Sequence, residues 1–352
     1  MNGELVVLFH GPDIFDKGHA KRIISLFDEA RFYQAGTMGR TAAHDNGLDE
    51  VVTIPDLPGK VIARSGGIGS LIIAISPRSL SSGKSFARLI LDNSKVQIPV
   101  LHLDCRTKKY VIWQGRFSES IIGRIENMGF SIDSPMGDIK HFEFNGNEVK
   151  RYLQDCKVGD FVLCNNIIIG KALETKVSIT ARDGRIVDTS GIDVKEHGIE
   201  KLDYFGKLDI MRAKCCSTSN LREDFVDPRV KKCDGDGVVF INHSGADVYG
   251  ISEGCEGAVV VGDDTSRIVG DILYRFGKPI IAITDGDRDG LIKHDRFFEK
   301  SRLYLVDFDD EVGMDIYNEL FQNNIRLDLP FQKVKNLVHD YIEDRVLEVK
   351  EY

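Results

Sequence analysis

The feature that most constrains the fold is a repeated alternation of short, unbroken apolar runs with stretches of helical periodicity. In the N-terminal part, apolar runs occupy residues 5–9, 71–75 and 100–103, and helical stretches occupy residues 17–29 and 83–92. Runs that are apolar on both faces are typical of parallel strands covered by helices on both sides. The sequence therefore predicts a parallel-sheet α/β domain over residues 1–135.

The pattern changes twice further along the chain. Residues 136–232 carry short alternating strands separated by turns such as Asp183-Gly184, which predicts a small β-rich middle domain. From residue 233 onward the α/β alternation returns, with apolar runs at residues 238–241, 258–262, 279–284 and 303–306. This predicts a C-terminal α/β domain over residues 233–352, closed by a packed terminal helix at residues 331–348.

Length and composition narrow the classes of protein. A chain of 352 residues is longer than one core usually supports, so several domains are expected. Its apolar runs fall far short of the roughly 20 residues of a membrane-spanning helix, and its N-terminus lacks the pattern of a signal peptide. The formal net charge of -9 argues against a protein that binds nucleic acid over most of its surface, although residues 212–232 form a local basic segment.

The seven cysteines form neither a C-x-x-C pair nor a disulfide framework. This usage is typical of a reducing compartment, so a cytoplasmic location is expected. The adjacent residues Cys215 and Cys216 leave two alternatives open, either buried free thiols or a redox-active or metal-binding pair.

The main candidate site is the acidic loop Asp285-Gly286-Asp287-Arg288-Asp289-Gly290, which carries three aspartates at the end of a predicted strand. Asp263 and Asp264 follow the neighbouring predicted strand in the same way. Because the carboxyl ends of parallel strands meet at one edge of a sheet, these acids are expected to lie close together. Carboxylate oxygens suit magnesium, and the predicted ligands are Asp285, Asp287, Asp289 and Asp263. The alternative is a set of helix-capping and turn aspartates.

Residues 238–291 resemble a Toprim domain of the archaeal primase type. The resemblance rests on an apolar strand, Ala246-Asp247-Val248, a second strand ending in Gly262, a helix, and a third strand leading into Asp285-Gly286-Asp287-Arg288. It implies a parallel βαβ core in which Asp285 and Asp287 hold magnesium for phosphoryl transfer.

The glutamate that follows the first strand in the Toprim family has no counterpart in this chain. The corresponding region reads Ile241-Asn242-His243-Ser244-Gly245. Since that glutamate is implied to act as general acid and base, its absence puts strand cleavage or polymerisation in doubt. His243 is the candidate catalytic substitute because a histidine can move protons, and a hydrogen-bonded structural histidine is the alternative.

The whole chain also resembles an uncharacterised family of archaeal proteins found mainly in methanogens. The shared sequences are Phe9-His10-Gly11-Pro12, Ile14-Phe15-Asp16, Ala35-Gly36-Thr37-Met38-Gly39-Arg40-Thr41 and the Toprim-like end. The resemblance implies an archaeal cytoplasmic protein and supplies no mechanism.

A second candidate site lies in the N-terminal domain. The glycine-rich segment at residues 36–41 can cradle an anion through backbone amides, with an arginine as counter-charge. The predicted anion-binding residues are Gly36, Thr37, Gly39 and Arg40. The segment lacks the lysine pattern of a P-loop, so a glycine-rich connection is the alternative.

Three hypotheses of function follow from these residues. The leading one is a magnesium-dependent protein that acts on or binds nucleic acid or nucleotide phosphates, with phosphodiester hydrolysis as the first reaction to test. The second is a non-catalytic Toprim relative with a binding or regulatory role. The third is the binding of a small anionic metabolite near Arg40 by the N-terminal α/β domain.

Overall fold

The computed structural model describes residues 3–48, 50–54, 62, 67–94, 96–135, 141–154, 156–165, 167–204, 206–218, 221–222, 226–243, 248–286 and 296–352. The chain separates into two compact units, Met1–Val226 and Asp227–Tyr352. Its α/β class is as predicted, with mixed sheets at both ends of the chain and antiparallel sheets in the middle. The finer division into three domains stays a prediction.

The N-terminal part of the first unit is a seven-stranded sheet. Its strands are β1 (Glu4–His10), β2 (Arg31–Ala35), β3 (Val52–Ile54), β4 (Ile68–Ile75), β5 (Val100–Asp104), β6 (Lys109–Gln114) and β7 (Ser131–Asp133). They lie in the order β3-β2-β1-β4-β5-β6-β7. Strands β1 to β5 are parallel to one another, whereas β6 runs antiparallel to β5. The tight connection between β5 and β6 accounts for this reversal, because parallel strands need a long crossover.

Helices cover both faces of this sheet. They are α1 (Asp13–Asp16), α2 (His19–Leu26), α3 (Thr37–Asp45), α4 (Leu80–Ser94) and α5 (Glu119–Asn127). Val7 packs with Ile23 of α2 in one hydrophobic cluster, and the adjacent Leu8 packs with Ala87 and Ile90 of α4 in another. Successive residues of a strand point to opposite faces, which explains why β1 has to be apolar throughout.

The rest of the first unit contains two four-stranded antiparallel sheets around one core. Their elements are β8 (Phe142–Asn145), β9 (Glu148–Gln154), β10 (Phe161–Cys164), β11 (Ile167–Ala172), β12 (Lys176–Arg182), β13 (Arg185–Ser190), β14 (Ile192–Val194), α6 (Glu196–Tyr204) and β15 (Cys215–Ser217). The sheet orders are β13-β12-β9-β8 and β14-β11-β10-β15. Val162 and Ile169 of one sheet share a hydrophobic cluster with Val177 and Ile179 of the other. The predicted β-rich segment is therefore confirmed as a pair of packed sheets.

The second unit is built on a six-stranded sheet in the order β20-β16-β17-β18-β19-β21. Its elements are β16 (Val238–Asn242), α7 (Val248–Ile251), β17 (Gly257–Val261), α8 (Asp263–Tyr274), β18 (Ile280–Thr284), β19 (Arg302–Val306), α9 (Asp309–Asp315), a π-helix (Ile316–Leu320), β20 (Arg326–Leu327), α10 (Phe331–Ile342), a 3-10 turn (Glu343–Arg345) and β21 (Val346–Glu351). Strands β16 to β19 are mutually parallel, and the two edge strands are antiparallel.

The terminal helix is shorter than the sequence predicts. It ends at Ile342, and residues 346–351 instead pair with β19 as the edge strand β21. Helical spacing of apolar residues predicts helix through residue 348, but the open edge of β19 offers backbone hydrogen bonds that an exposed last turn of helix would not match. None of the helices in the described part of the chain combines the length and the apolar character needed to cross a membrane.

Candidate metal centre

Three aspartates occupy equivalent positions at the carboxyl ends of three adjacent parallel strands. Asp263 begins α8 after β17, Asp285 directly follows β18, and Asp309 begins α9 after β19. Since β17, β18 and β19 are neighbours in the sheet, their carboxyl ends form one edge. This is the edge at which open α/β sheets place their ligand sites.

The three carboxylates converge. One oxygen atom of each lies within 4.8 Å of the others, with Asp263 and Asp309 buried and Asp285 half-buried. Two oxygens bound to one magnesium ion at about 2.1 Å are at most about 4.2 Å apart, and calcium allows about 5 Å. Adjacent ligands of an octahedral ion are only about 3.0 Å apart, so side-chain rotations that draw the oxygens closer together would bring all three carboxylates onto one cation. The group can hold a metal ion.

Asp263 also organises the loop that carries Asp285. Its Oδ2 accepts hydrogen bonds from the backbone amides of Asp285 at 3.2 Å and Gly286 at 3.0 Å. Gly286 has a φ of 87°, in the left-handed region that favours glycine, so glycine suits this turn of the loop. Oδ1 of Asp263 lies 3.5 Å from Nη1 of Arg267.

Electrostatics in the cluster favour a bound cation. Burial raises the pKa of Asp263 above its ordinary value, and the charge of Asp285 acts in the same direction. The amide of Gly286 and the guanidinium of Arg267 lower this pKa and oppose the effect only in part. A cation would remove the cost of holding these charges together in a partly dry site.

The structure brings together two of the four aspartates that the sequence predicts as metal ligands, Asp263 and Asp285. The other two, Asp287 and Asp289, lie outside the described residues. The third member of the cluster, Asp309, was missed. The signal was present, because Asp307-Phe308-Asp309-Asp310 follows an apolar strand just as the other two acidic groups do.

His243 lies at the same edge of the sheet, directly after β16. Its Nδ1 contacts Oδ1 of Asn242 and lies 3.6 Å from Oδ1 of Asp310. A Cβ atom placed on Gly262 would lie 2.8 Å from Nε2 of His243. The imidazole therefore sits beside residues that are the chain neighbours of Asp263 and of Asp309. A role in proton transfer stays a prediction.

The glycine-rich segment of the first unit is the start of a helix rather than the glycine-rich connection that the sequence offers as the alternative. Gly36 has a φ of 98°, and α3 begins at Thr37. Burial of Ala42 and Ala43 against the sheet accounts for the helix. The N-cap residue Gly36 makes no side-chain hydrogen bond to this helix, and Thr37 and Gly39 lie in its first turn at the end of β2. Arg40 lies one residue further along α3, and its part in anion binding stays a prediction.

His10 lies beside this helix start. Its Nδ1 is 3.1 Å from the carbonyl oxygen of Ala35, and its ring stacks on Phe86 at 4.0 Å between centroids. Burial lowers the pKa of His10 to about 4, and the hydrogen bond to Ala35 opposes this only in part. The imidazole is therefore neutral near neutral pH, with Nδ1 as the donor.

Comparison with known proteins places both candidate sites within one protein family. Residues 7–324 match the family described as an uncharacterized protein conserved in archaea, DUF2117. The chain is also similar to the uncharacterized protein MJ0065 of Methanocaldococcus jannaschii, with 31% identity over 360 residues that span 95% of this chain and 96% of that protein. The archaeal family expected from the sequence is thereby confirmed, and the chain belongs to the DUF2117 family.

Proposed function

We propose that the second unit binds a magnesium ion through Asp263, Asp285 and Asp309, and that this ion serves to bind or hydrolyse the phosphates of nucleic acid or nucleotides. The observation that carries the proposal is the convergence of three carboxylates, each from a different strand end, within 4.8 Å. A parallel sheet alone brings the three loops to one edge, but it does not require three buried or half-buried carboxylates to place their oxygen atoms together.

The choice of magnesium and phosphate rests on the type of ligand. Magnesium takes oxygen ligands, retains several waters and is usually held by a few carboxylates together with phosphate oxygens. Asp285 is only half-buried, so a ligand from solvent can approach its side of the cluster. Phosphate oxygens would complete the coordination shell and balance the charge of the ion.

The Toprim-like version of the proposal is supported by the strand arrangement. Four parallel strands in chain order, β16 to β19, carry Asp285 of the Asp-Gly-Asp-Arg sequence at the end of the third. In this version Asp287 is a further ligand. His243 is oriented through Nδ1 by Asn242 and Asp310, which suits a group that exchanges a proton through Nε2. In the non-catalytic version the same ion binds the ligand without cleavage.

Calorimetric titration of the full chain with Mg²⁺ and with Mn²⁺ tests the metal site. We expect Asp263→Asn, Asp285→Asn and Asp309→Asn each to weaken binding at least about tenfold, because each removes a charged oxygen ligand. Asp307→Asn is the matched control, since Asp307 lies in the same loop as Asp309 but is exposed. Absence of binding by the wild type, or equal binding by all four variants, would exclude this site.

An assay on the same samples separates the two versions. Single- and double-stranded DNA and RNA oligonucleotides are incubated with Mn²⁺, and both cleavage and binding are measured. If the protein is a phosphodiesterase, His243→Gln should keep its metal affinity and lose about 100-fold or more in cleavage rate. Metal-dependent binding without cleavage by the wild type would establish the non-catalytic version.

A second candidate function is the binding of a small anionic metabolite by the first unit. The strand order reverses between β1 and β4, and ligands of open α/β sheets bind outside the carboxyl ends at such a switch point. His10 ends β1 there, next to the first turn of α3. Titration with inorganic phosphate and pyrophosphate should show binding that Arg40→Ala weakens at least about tenfold while Mg²⁺ binding is unchanged. Equal binding by Arg40→Ala would exclude this candidate.

A further inference from the structure

We propose that Cys164 and Cys215 form a reversible thiol–disulfide site in the antiparallel sheets of the first unit. The two sulfur atoms are 3.5 Å apart, although the residues are separated by 51 positions in the chain. Both cysteines belong to the first unit, so the inference is independent of the proposed metal centre.

The backbone geometry suits a disulfide. Cys164 of β10 lies directly opposite Cys215 of β15 in an antiparallel pair. The next pair along, Asn165 and Lys214, is hydrogen-bonded through its backbone at 2.8 Å. Because hydrogen-bonded and non-hydrogen-bonded pairs alternate, the cysteines occupy a non-hydrogen-bonded position, where Cα atoms are about 4.5 Å apart. That separation falls within the range of about 4.4 to 6.8 Å found in disulfides.

The two thiols differ in accessibility. Cys164 is fully buried, whereas Cys215 is partly exposed at the edge of its sheet. Reagents in solution can therefore reach Cys215 first. Cys164 lies behind it, in position to attack the Cys215 sulfur of a mixed disulfide.

The pKa values of the two thiols also favour reaction of Cys215 before Cys164. A hydrogen bond from Cys164 lowers the pKa of the Cys215 thiol, and the charge of Arg151 acts in the same direction against burial. The same hydrogen bond together with burial raises the pKa of Cys164. Arg151 is fixed near the pair because its Nη1 donates to the carbonyl oxygens of Ile210 and Ala213, just before β15. Cys215 is thus the attacking residue and Cys164 the resolving one.

The reaction requires a low-molecular-weight disulfide as oxidant. The Cys215 thiolate attacks one sulfur of this reagent, forms a mixed disulfide and releases the first reagent thiolate, which takes up the proton lost by Cys215. Cys164 then attacks the Cys215 sulfur, and the second reagent thiolate leaves with the proton of Cys164. The two protein thiols lose two electrons in total, and the reagent disulfide is reduced to two thiols. An excess of thiol reverses both steps.

The adjacent Cys216 provides the matched control. Side chains alternate along a strand, so Cys216 points away from Cys215 and lies opposite Leu163. Burial raises the pKa of the Cys216 thiol to about 11. Of the two neighbouring cysteines in the sequence, the structure assigns the chemistry to Cys215 paired with Cys164 and not to a Cys215–Cys216 pair.

The test counts thiols in the intact chain. The folded protein is incubated with hydroxyethyl disulfide, denatured and alkylated, and its mass gives the number of alkylated cysteines. Cys233 is exposed and can form a mixed disulfide with the reagent, so thiols are counted in a Cys233→Ser background, which keeps six of the seven free cysteines. We expect two fewer after oxidation, with all of them recovered after dithiothreitol. Peptide mapping should join Cys164 to Cys215. Cys216→Ser should still lose two thiols on oxidation.

Two single variants complete the test. Cys164→Ser should stop at the mixed disulfide, seen as one added mercaptoethanol group on Cys215, and Cys215→Ser should show neither product. Circular dichroism checks that each variant folds, and the wild-type mapping decides the question if one does not. An unchanged thiol count in the wild type, or a disulfide that joins any other pair, would overturn the proposal.

Discussion

At the residue scale, His102 presents an unusual environment for a titratable group. It lies in the middle of β5 with no exposed surface, and neither ring nitrogen has a hydrogen-bond partner among the described residues. Burial lowers the pKa of His102 to about 3, and the charge of the nearby Lys84 acts in the same direction. The imidazole is therefore neutral, and its buried nitrogens lack hydrogen-bond partners among the described residues, at a cost to stability.

Replacement of His102 by leucine is expected to alter the pH dependence of stability. A histidine with a lowered folded-state pKa contributes stability that is present above its unfolded pKa of about 6.5 and is lost as pH falls toward the folded value. Between neutral pH and about pH 4.5 this loss is on the order of 3 kcal/mol. The leucine cannot be protonated. Over the same pH range the unfolding free energy of His102→Leu should therefore decrease by about 3 kcal/mol less than that of the wild type. At neutral pH the change should be within about 1 kcal/mol, since no hydrogen bond is removed.

Urea unfolding of the full chain at the two pH values measures this difference. His197→Gln is the control, because the side chain of His197 is 63% exposed and should leave the pH dependence as in the wild type. A His102→Leu protein that loses stability in acid as steeply as the wild type would show that protonation of His102 is not coupled to unfolding. His10, which has a pKa lowered to about 4 by burial, is unchanged in all three proteins.

At the element scale, the sequence predicts well what local periodicity determines. The apolar runs at residues 71–75 and 100–103 correspond to β4 and β5, because their residues are buried from both faces. The helix predicted at residues 83–92 corresponds to α4. What local patterns miss is pairing at the edges of sheets. Strand β21 exists because β19 has an open edge beside it, and this depends on the order of strands in space.

The candidate metal site was predictable in part for the same reason. Asp263 and Asp285 each follow an apolar strand, and a parallel sheet is enough to place them at one edge. That β19 lies next to β18, and so brings Asp309 to the cluster, is tertiary information. The cysteine pair is a similar case, since the opposition of Cys164 and Cys215 depends on the register between strands from distant parts of the chain.

At the scale of the whole molecule, the two proposed chemistries belong to different units. All three aspartates of the cluster lie in Asp227–Tyr352, and both cysteines lie in Met1–Val226. A cation is therefore expected to stabilise the second unit directly, and oxidation of the cysteine pair to act on the first. Each ligand or reagent can be used as a control for the other in measurements on the intact chain.

Magnesium is expected to raise the unfolding temperature of the intact protein in a pH-dependent way. At a concentration about 100 times the dissociation constant, binding adds about 2.7 kcal/mol to the unfolding free energy of the unit that holds the ion, or about 10 °C for a domain of this size. Without the ion, the raised pKa of Asp263 means that its protonated form stabilises the fold below the unfolded pKa, and that this contribution is lost as pH rises through the folded value.

The ion reverses the sign of this effect, because it binds the ionised carboxylates and competes with the proton. The rise in unfolding temperature should therefore be largest at neutral pH and shrink as the pH is lowered toward the raised pKa of Asp263. Scanning calorimetry with and without Mg²⁺ at neutral and acidic pH measures the rise, and Asp285→Asn, which should bind at least about tenfold more weakly, should show about half of it or less. A rise that is as large in Asp285→Asn as in the wild type, or that grows in acid, would mean that magnesium stabilises the protein elsewhere than at the three aspartates.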